Sequence, residues 1–221
     1  MGRGGAGGSL AAVMEDVWAI VVAAGSGRRF GRAKQYEPLA GRRVLDWALD
    51  AARTVADGVV VVVAPERAGD VEPLADAVAA GAATRSGSVR AGLAVVPPGA
   101  EIVVVHDGAR PLADAALFGA VVDVVRAGAD AALPGVPVHD TLRAADGGAV
   151  DRDGLVAVQT PQAFRAAALR AAHGGGSEAT DDASLVEAAG GMVVVVDGSP
   201  ANVKITRPAD LVVAEALLRA R

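Results

Sequence analysis

The chain has 221 residues, a formal net charge of -5 and no cysteine, which argues against disulfides, cysteine-ligated zinc and any global attraction to nucleic acid or acidic membranes. Its longest unbroken apolar runs are about eight residues, well short of the roughly 18 that a membrane-spanning helix needs, and its 3% of aromatic residues is too little for a platform that stacks bases. The composition therefore predicts one soluble, cytoplasmic domain with a sizeable core.

A glycine-rich loop follows the first apolar run, residues 17–22. Within residues 23–34 glycines alternate with cations, and Arg28, Arg29 and Lys34 supply fixed positive charge. Glycines let main-chain N–H groups approach an anion closely and tolerate positive φ. The spacing matches neither the P-loop nor the dinucleotide-binding fingerprint, and a tight turn with solvated arginines, the alternative, does not explain why the cations cluster. We therefore expect a loop that binds a polyphosphate.

The rest of the chain alternates between extended and helical patterns. Residues 1–16 are rich in glycine and predict a disordered tail, which leaves residues 17–221 as the folded domain. The predicted elements are, in order, a strand at 17–22, a helix at 44–52, a strand at 59–64, a weak helix at 71–80, a helix at 86–96, a strand at 102–105, a helix at 117–125, an extended segment at 131–138, a loop at 174–176, a helix at 181–189, a strand at 192–196 and a helix that begins at 208. This order predicts an α/β fold with a mostly parallel sheet.

An acidic residue, Asp107, follows the strand at 102–105. In open parallel sheets ligands gather at the carboxyl ends of strands, and both the 23–34 loop and Asp107 fall at such ends. Phosphates would repel a carboxylate unless a divalent cation lay between them, so Asp107 is a candidate ligand of Mg²⁺; a helix or turn cap is the alternative. The neighbouring His106 has no second histidine or cysteine at ligand spacing and is expected to be structural.

Lysine is rare in this chain. Of the 21 basic residues only Lys34 and Lys204 are lysines. Because arginine is used almost everywhere else, a lysine at these two positions indicates a need for a compact ammonium group. The alternative is that two lysines occur there by chance.

A polar region at 140–157 interrupts the apolar pattern. Two short segments flank the Asp-Gly-Gly turn at 146–148, which predicts a β-hairpin. Its charged faces leave little to bury against its own sheet. We expect residues of about 137–160 to form an arm that docks on a second subunit of a homodimer; a solvent-facing flap is the alternative.

Several motifs resemble, in register over about residues 17–219, those of the 2-C-methyl-D-erythritol 4-phosphate cytidylyltransferase family. The motifs are Ala23-Ala24-Gly25-Ser26-Gly27-Arg28-Arg29-Phe30, Lys34-Gln35-Tyr36, Arg85-x-x-Ser88-Val89, His106-Asp107-Gly108-Ala109-Arg110-Pro111, Asp140-Thr141, Val150-Asp151-Arg152, Gln159-Thr160-Pro161-Gln162, Thr180-Asp181-Asp182-Ala183-Ser184 and Asn202-x-Lys204-x-Thr206.

The resemblance implies a single Rossmann-like nucleotidyltransferase domain that uses Mg²⁺. Its reaction would be transfer of CMP from CTP to methylerythritol phosphate, with release of pyrophosphate, in the non-mevalonate isoprenoid pathway. The resemblance assigns catalysis to Arg29, Lys34 and Lys204. It assigns CTP binding to Ala23, Ala24, Gly25, Gly27, Arg85 and Ser88, and metal binding to Asp107. It assigns binding of the sugar phosphate to Asp107 and Arg110, together with Thr141 and Arg152 from a partner subunit's arm.

Two alternatives remain beside this family. Ribitol 5-phosphate cytidylyltransferases share the glycine loop and both lysines, and only the arm and the sugar pocket distinguish them. A catalytically silent nucleotide-binding protein on the same fold would be expected to lack a triphosphate cation or the metal carboxylate. The chain departs from the family pattern at Val22, Gly108 and Ala201, where a proline, an alanine and an acidic residue are common.

Overall fold

The computed structural model describes residues 17–220, so the expected tail at 1–16 lies outside the described residues. The strands are β1 Val17–Ala23, β2 Pro38–Leu39, β3 Arg42–Arg43, β4 Gly58–Val63, β5 Ala77–Ala80, β6 Ile102–Asp107, β7 Ala131–Pro137, β8 Leu142–Arg143, β9 Ala149–Val150, β10 Val156–Val158, β11 Gln162–Arg165 and β12 Val193–Asp197. The helices are α1 Val44–Arg53, α2 Arg85–Leu93, α3 Ala115–Arg126, α4 Ala166–Gly174, α5 Asp182–Ala188 and α6 Pro208–Arg219. Within residues 17–220, none of the helices is long and apolar enough to cross a membrane.

A central eight-stranded sheet runs in the order β10-β7-β11-β6-β1-β4-β5, with β12 paired to β7. The half that contains β6, β1, β4 and β5 is parallel throughout. In the other half β12 is parallel to β7, whereas β10 and β11 run antiparallel to their neighbours. The expectation of a mostly parallel sheet in an α/β fold is therefore confirmed.

Helices cover both faces of this sheet. Every residue of β4 is buried, as expected for a strand with a helix layer on each side. Side chains alternate along β1, so that Val17, Ala19 and Val21 pack with α1 and α3, whereas Ile20 packs with α2 and α4 on the opposite face. The two cores hold the carboxyl ends of β1 and β6 in fixed positions.

One predicted helix is wrong. Residues 71–80, which are rich in alanine, were expected to form a weak helix, but Ala77–Ala80 forms the edge strand β5 beside β4. The Asp76 carboxylate accepts a hydrogen bond from Val59 N at 2.8 Å at the start of this pairing. Pairing with β4 thus outweighs the helix propensity of alanine. The strands β10 and β11 and the helix α4 were not predicted.

The hairpin at 142–150 is present. β8 and β9 pair antiparallel in a small sheet of their own, and Gly147 and Gly148 turn the chain at φ values of 119° and 80°. Most side chains between 140 and 158 are exposed. The prediction of a hairpin is confirmed, whereas its docking on a second subunit stays a prediction.

Candidate active site

Two pockets open at the carboxyl ends of β1 and β6. The larger, of about 660 Å³, is within the size range of small-molecule sites, and the smaller is about 230 Å³. Arg85, Asp107 and Lys204 line both pockets, which therefore form one continuous cleft.

The glycine loop forms one wall of the larger pocket. Gly27 has φ +67, and a Cβ there would lie 1.7 Å from Arg32 O. The Gly27 carbonyl accepts hydrogen bonds from Phe30 N and Gly31 N, both at 2.8 Å. From beneath the loop, the buried Gln35 amide donates to the Ala23 and Gly25 carbonyls at 2.6 and 3.2 Å. The backbone of the loop is therefore fixed before any ligand binds.

The opposite wall comes from the segment between β5 and α2. The Ser88 hydroxyl accepts a hydrogen bond from Ala82 N at 3.1 Å and donates to the Thr84 carbonyl at 2.9 Å. These bonds shape residues 82–84, which line the pocket together with Ser88 itself.

The cations that line the larger pocket include Arg29, Lys34 and Lys204. Burial lowers the pKa of the Lys34 ammonium below its usual value, and the positive charges of Lys204 and Arg29 lower it further. Like charges that converge on one cavity repel one another and are stabilised when an anion enters. The arrangement favours a ligand with several negative charges, such as a triphosphate.

A carboxylate stands at the centre of the cleft, at the end of β6. Asp107 Oδ2 lies 2.6 Å from Lys204 Nζ, while Arg85 Nε and Arg110 Nε lie 3.8 Å from the carboxylate oxygens. Burial alone would raise the pKa of Asp107, but the charges of Lys204, Arg85 and Arg110 hold it at about 2. Asp107 is therefore ionised at neutral pH.

Asp107 is a suitable single ligand for a divalent cation. Within residues 17–220 no group of three or more His, Cys, Asp or Glu side chains could hold a metal ion, so an all-protein metal site is not built there. Mg²⁺ usually binds one or two carboxylates together with substrate phosphates and water. Asp107 is an ionised carboxylate of the kind that such a site uses, although one of its oxygens, Oδ2, already contacts Lys204 Nζ at 2.6 Å.

His106 supports this strand end from beneath. It is completely buried, and burial lowers its pKa to about 4, so the ring is neutral. Its Nε2 lies 3.2 Å from the Arg110 carbonyl and its Nδ1 lies 3.1 Å from Thr160 Oγ1, which also accepts a hydrogen bond from Asp107 N at 3.0 Å. This pattern fits an Nε2–H tautomer that orients the 107–110 turn. The expectation that His106 is structural is confirmed.

The structure brings most of the predicted site residues together. The following line the two pockets: Ala23, Ala24, Gly25, Arg29, Lys34, Arg85, Ser88, Asp107, Arg110 and Lys204. Gly27 shapes the loop but lines neither of these two pockets. Thr141 and Arg152 line neither pocket of their own chain; they lie on the hairpin region, where the Arg152 guanidinium donates to the His139 carbonyl.

Several residues that line the cleft had no role assigned from the sequence. They include Gln35, Gln159, Thr160, Gln162, Thr180 and Asp181. All six fall inside motifs that carry the family resemblance. The available signal was their position in those motifs: five of them are neutral polar side chains, which give no charge pattern that points to a ligand, and the carboxylate of Asp181 by itself does not indicate an anion site.

A mostly parallel α/β sheet that gathers converging cations and one ionised carboxylate at its strand ends is suited to binding a phosphorylated ligand such as a nucleotide. The family model described as "IspD: 2-C-methyl-D-erythritol 4-phosphate cytidylyltransferase" matches residues 17–220. The chain belongs to this family.

Individual relatives agree with the family match. The 2-C-methyl-D-erythritol 4-phosphate cytidylyltransferase of Prochlorococcus marinus (strain MIT 9313) is 44% identical over 222 residues, which cover 91% of this chain and 98% of the relative. The protein of the same name from Rubrobacter xylanophilus is 44% identical over 228 residues, covering 94% and 97%. The crystal structure of the enzyme from Thermus thermophilus matches with a TM-score of 0.80 and 40% identity, over 93% of this chain and 100% of that one.

Proposed function

We propose that Arg29, Lys34 and Lys204 carry out the reaction of this family, the transfer of CMP from CTP to 2-C-methyl-D-erythritol 4-phosphate in isoprenoid biosynthesis. The observation that carries this assignment is the convergence of the three cations on one pocket beside an ionised carboxylate. A silent nucleotide-binding protein would not need to retain all four charges. The protein is an enzyme of the nucleotidyltransferase class.

CTP fits the larger pocket. The main chain of Ala23, Ala24 and Gly25 lies on one side and the 82–84 segment with Ser88 on the other, so the nucleoside would lie between them. The triphosphate would then extend toward Arg29 and Lys34. The fixed glycine loop reduces the entropy lost when the nucleotide binds.

The chemistry requires charge stabilisation rather than proton transfer. The nucleophile is a phosphate monoester that is already largely dianionic at neutral pH, so no general base is needed. His106 could not serve as one, because it is buried and both ring nitrogens already contact protein atoms. Arg29, Lys34 and Lys204 would stabilise the charge that develops on the α-phosphate and on the departing pyrophosphate. Each such contact contributes about 3–4 kcal/mol to transition-state stabilisation.

Mg²⁺ is part of the proposal, with Asp107 as its protein ligand. When bound, the ion neutralises negative charge on the phosphates. The Lys204 ammonium, which lies 2.6 Å from Asp107 Oδ2, keeps the carboxylate ionised, and the ion would have to bind through Oδ1 or displace Lys204 from Oδ2.

The sugar phosphate fits the smaller pocket, where Arg110 offers a cation and Thr180 and Asp181 offer polar groups. Thr141 and Arg152 would complete this pocket from a partner subunit's arm. Two observations support a homodimer: both residues lie outside the pockets of their own chain, and Val150 and Leu155 on the arm are each 42% exposed. A cytoplasmic location is also proposed, since a chain without cysteine suits a reducing compartment.

The first experiment measures pyrophosphate release from CTP and Mg²⁺ with each of two acceptors, methylerythritol phosphate and ribitol 5-phosphate, and in a control without acceptor. Release with methylerythritol phosphate alone is expected. Preference for ribitol 5-phosphate would keep the mechanism and change the acceptor. A folded protein that is inactive with both acceptors would overturn the proposed function.

A further inference from the structure

Arg85 occupies a central position in the cleft. Its side chain lines both pockets and lies between two carboxylates. On one side Nε is 3.8 Å from Asp107 Oδ1; on the other, Nη1 is 2.7 Å from Asp182 Oδ2. The orientation of this guanidinium therefore depends on how strongly each carboxylate attracts it.

Asp182 is completely buried at the first turn of α5. Its Oδ2 pairs with Arg85, and its Oδ1 lies 3.0 Å from Nε2 of His173. His173 is itself 4% exposed, near the end of α4. Its Nδ1 has no hydrogen-bond partner among residues 17–220, which fits the tautomer with the proton on Nε2, because that form leaves only a lone pair unsatisfied.

We propose that His173 and Asp182 are positioning residues that set the orientation of Arg85 in the cleft. An arginine beside a buried carboxylate prefers to bind both oxygens through two parallel N–H groups. The His173 ring contacts Oδ1 at 3.0 Å and limits the space on that side of the carboxylate, and the guanidinium contacts Oδ2. Arg85 then binds Asp182 through Nη1 alone, and its Nε remains directed toward Asp107. This proposal rests on the nucleotidyltransferase function proposed above.

Other contacts keep the surrounding structure in place. Ala179 N donates to Ser86 Oγ at 3.2 Å, and Arg90 binds the Ser177 carbonyl and the Glu178 carboxylate at 3.0 and 2.6 Å. These bonds attach the segment before α5 to α2 without His173. Loss of the imidazole should therefore reorient Arg85 rather than detach the segment.

The test is a double-mutant cycle with His173→Leu and Arg85→Ala, assayed for kcat and KM with CTP and methylerythritol phosphate. In the wild-type background His173→Leu should lower kcat/KM about tenfold, because Oδ1 becomes free and Arg85 turns toward Asp182. In the Arg85→Ala background the same substitution should change kcat/KM less than about twofold. An equal loss in both backgrounds, or none in the wild type, would overturn the proposal.

Conservative variants separate positioning from general stability. His173→Gln retains an N–H donor toward Asp182 and should keep kcat/KM within about threefold of the wild type. Leu169→Ala, at another buried position of α4, should lower the melting temperature and leave kcat/KM of the folded fraction unchanged. A His173→Gln variant as impaired as His173→Leu would contradict the proposal.

Two further measurements keep the test decisive. Asp182→Asn removes the charge that holds Arg85 with almost no change in volume. It should lower kcat/KM in the wild-type background and have little effect in the Arg85→Ala background, and this test remains available if His173→Leu does not fold. CTP affinity, measured by calorimetry, should fall about fivefold when His173→Leu is introduced into the wild type. It should not fall further when His173→Leu is added to Arg85→Ala. Because this binding measurement needs no turnover, failure of the proposed acceptor reaction is distinguishable from failure of the positioning role.

Discussion

Lys204 Nζ lies 2.6 Å from Asp107 Oδ2 and thereby joins the segment before α6 to the end of β6. The Asp107 side chain is 12% exposed whereas that of Lys204 is 40% exposed, so the ammonium faces the cleft. A second contact holds the same two segments together, since Arg110 Nη1 donates to the Asn202 carbonyl at 2.7 Å. The cation is thus carried by the C-terminal segment but positioned by the central sheet.

Removal of the ammonium should affect the chemical step more than the fold. We expect Lys204→Ala to lower kcat at least about a hundredfold, which corresponds to about 3 kcal/mol of transition-state stabilisation. Steady-state kinetics of pyrophosphate release measure this loss, and thermal unfolding shows whether the variant is folded.

Arg219→Ala is the matched control for that variant. It removes an exposed cation of the C-terminal helix whose partner is Glu215, and exposed pairs of this kind contribute little. Its kcat should stay within about twofold of the wild type. A loss of tenfold or less in Lys204→Ala would contradict a role at the reacting phosphates.

Lys34 should titrate at a lower pH than an ordinary lysine. Burial and the charges of Lys204 and Arg29 lower the pKa of its ammonium, so the charged form is lost earlier as pH rises, and phosphate binding weakens with it. Because the chain has only two lysines, ¹³C-methylated lysine side chains give NMR signals that Lys34→Arg and Lys204→Arg variants assign.

The titration can also show the cause of this shift. Arg29→Ala removes a neighbouring positive charge and should move the Lys34 titration to higher pH, and saturating CTP should do the same because an anion favours the charged form. A Lys34 signal that titrates at or above the usual lysine pKa would contradict the convergence of cations in the cleft.

The sequence predicted those parts of the fold that depend on local patterns. Residues 59–64 are an uninterrupted apolar run, and such a run bounded by turn residues predicts a buried strand. β5 could not be recognised in the same way, because the alanines of 77–80 favour a helix locally and become a strand only by pairing with β4. β10 and β11 are short, and they too become strands only by pairing with neighbouring strands of the sheet, so the local sequence did not predict them.

In the candidate site, too, some features follow from local sequence patterns and others depend on contacts between distant segments. The 23–34 loop and Asp107 could be brought together because parallel strands place their carboxyl ends at one edge of the sheet. Three other contacts depend on packing between segments that are distant in sequence. They are the contact between Asp107 and Lys204, the Gln35 hydrogen bonds beneath the loop and the pairing of Arg85 with Asp182. No local spacing encodes such contacts, so only the three-dimensional structure shows them.

The glycine loop should not tolerate a side chain at Gly27. The residue has φ +67 and a Cβ would lie 1.7 Å from Arg32 O, so Gly27→Ala must displace the backbone that faces the triphosphate. We expect the KM for CTP to rise at least about tenfold and the free energy of unfolding to fall by about 1–3 kcal/mol.

Gly25→Ala tests whether that effect is specific to the backbone geometry. No atom lies within 4 Å of a Cβ at Gly25, so this variant should unfold at the same denaturant concentration as the wild type. Equal stability of Gly27→Ala and Gly25→Ala would contradict the strained geometry assigned to Gly27.

If each active site combines the cleft of one subunit with the arm of the other, two inactive variants should restore activity together. Arg152→Ala damages only the arm and Lys34→Ala only the cleft, so a mixed dimer contains one intact site. Random pairing makes half of the dimers mixed, and we expect about a quarter of the wild-type activity from an equal mixture after subunit exchange. A mixture of Lys34→Ala with Lys204→Ala is the control, because both substitutions damage the cleft and no mixed dimer regains an intact site. Activity that never exceeds the mean of the two parent variants would exclude a shared site and leave the arm as a flap of its own chain.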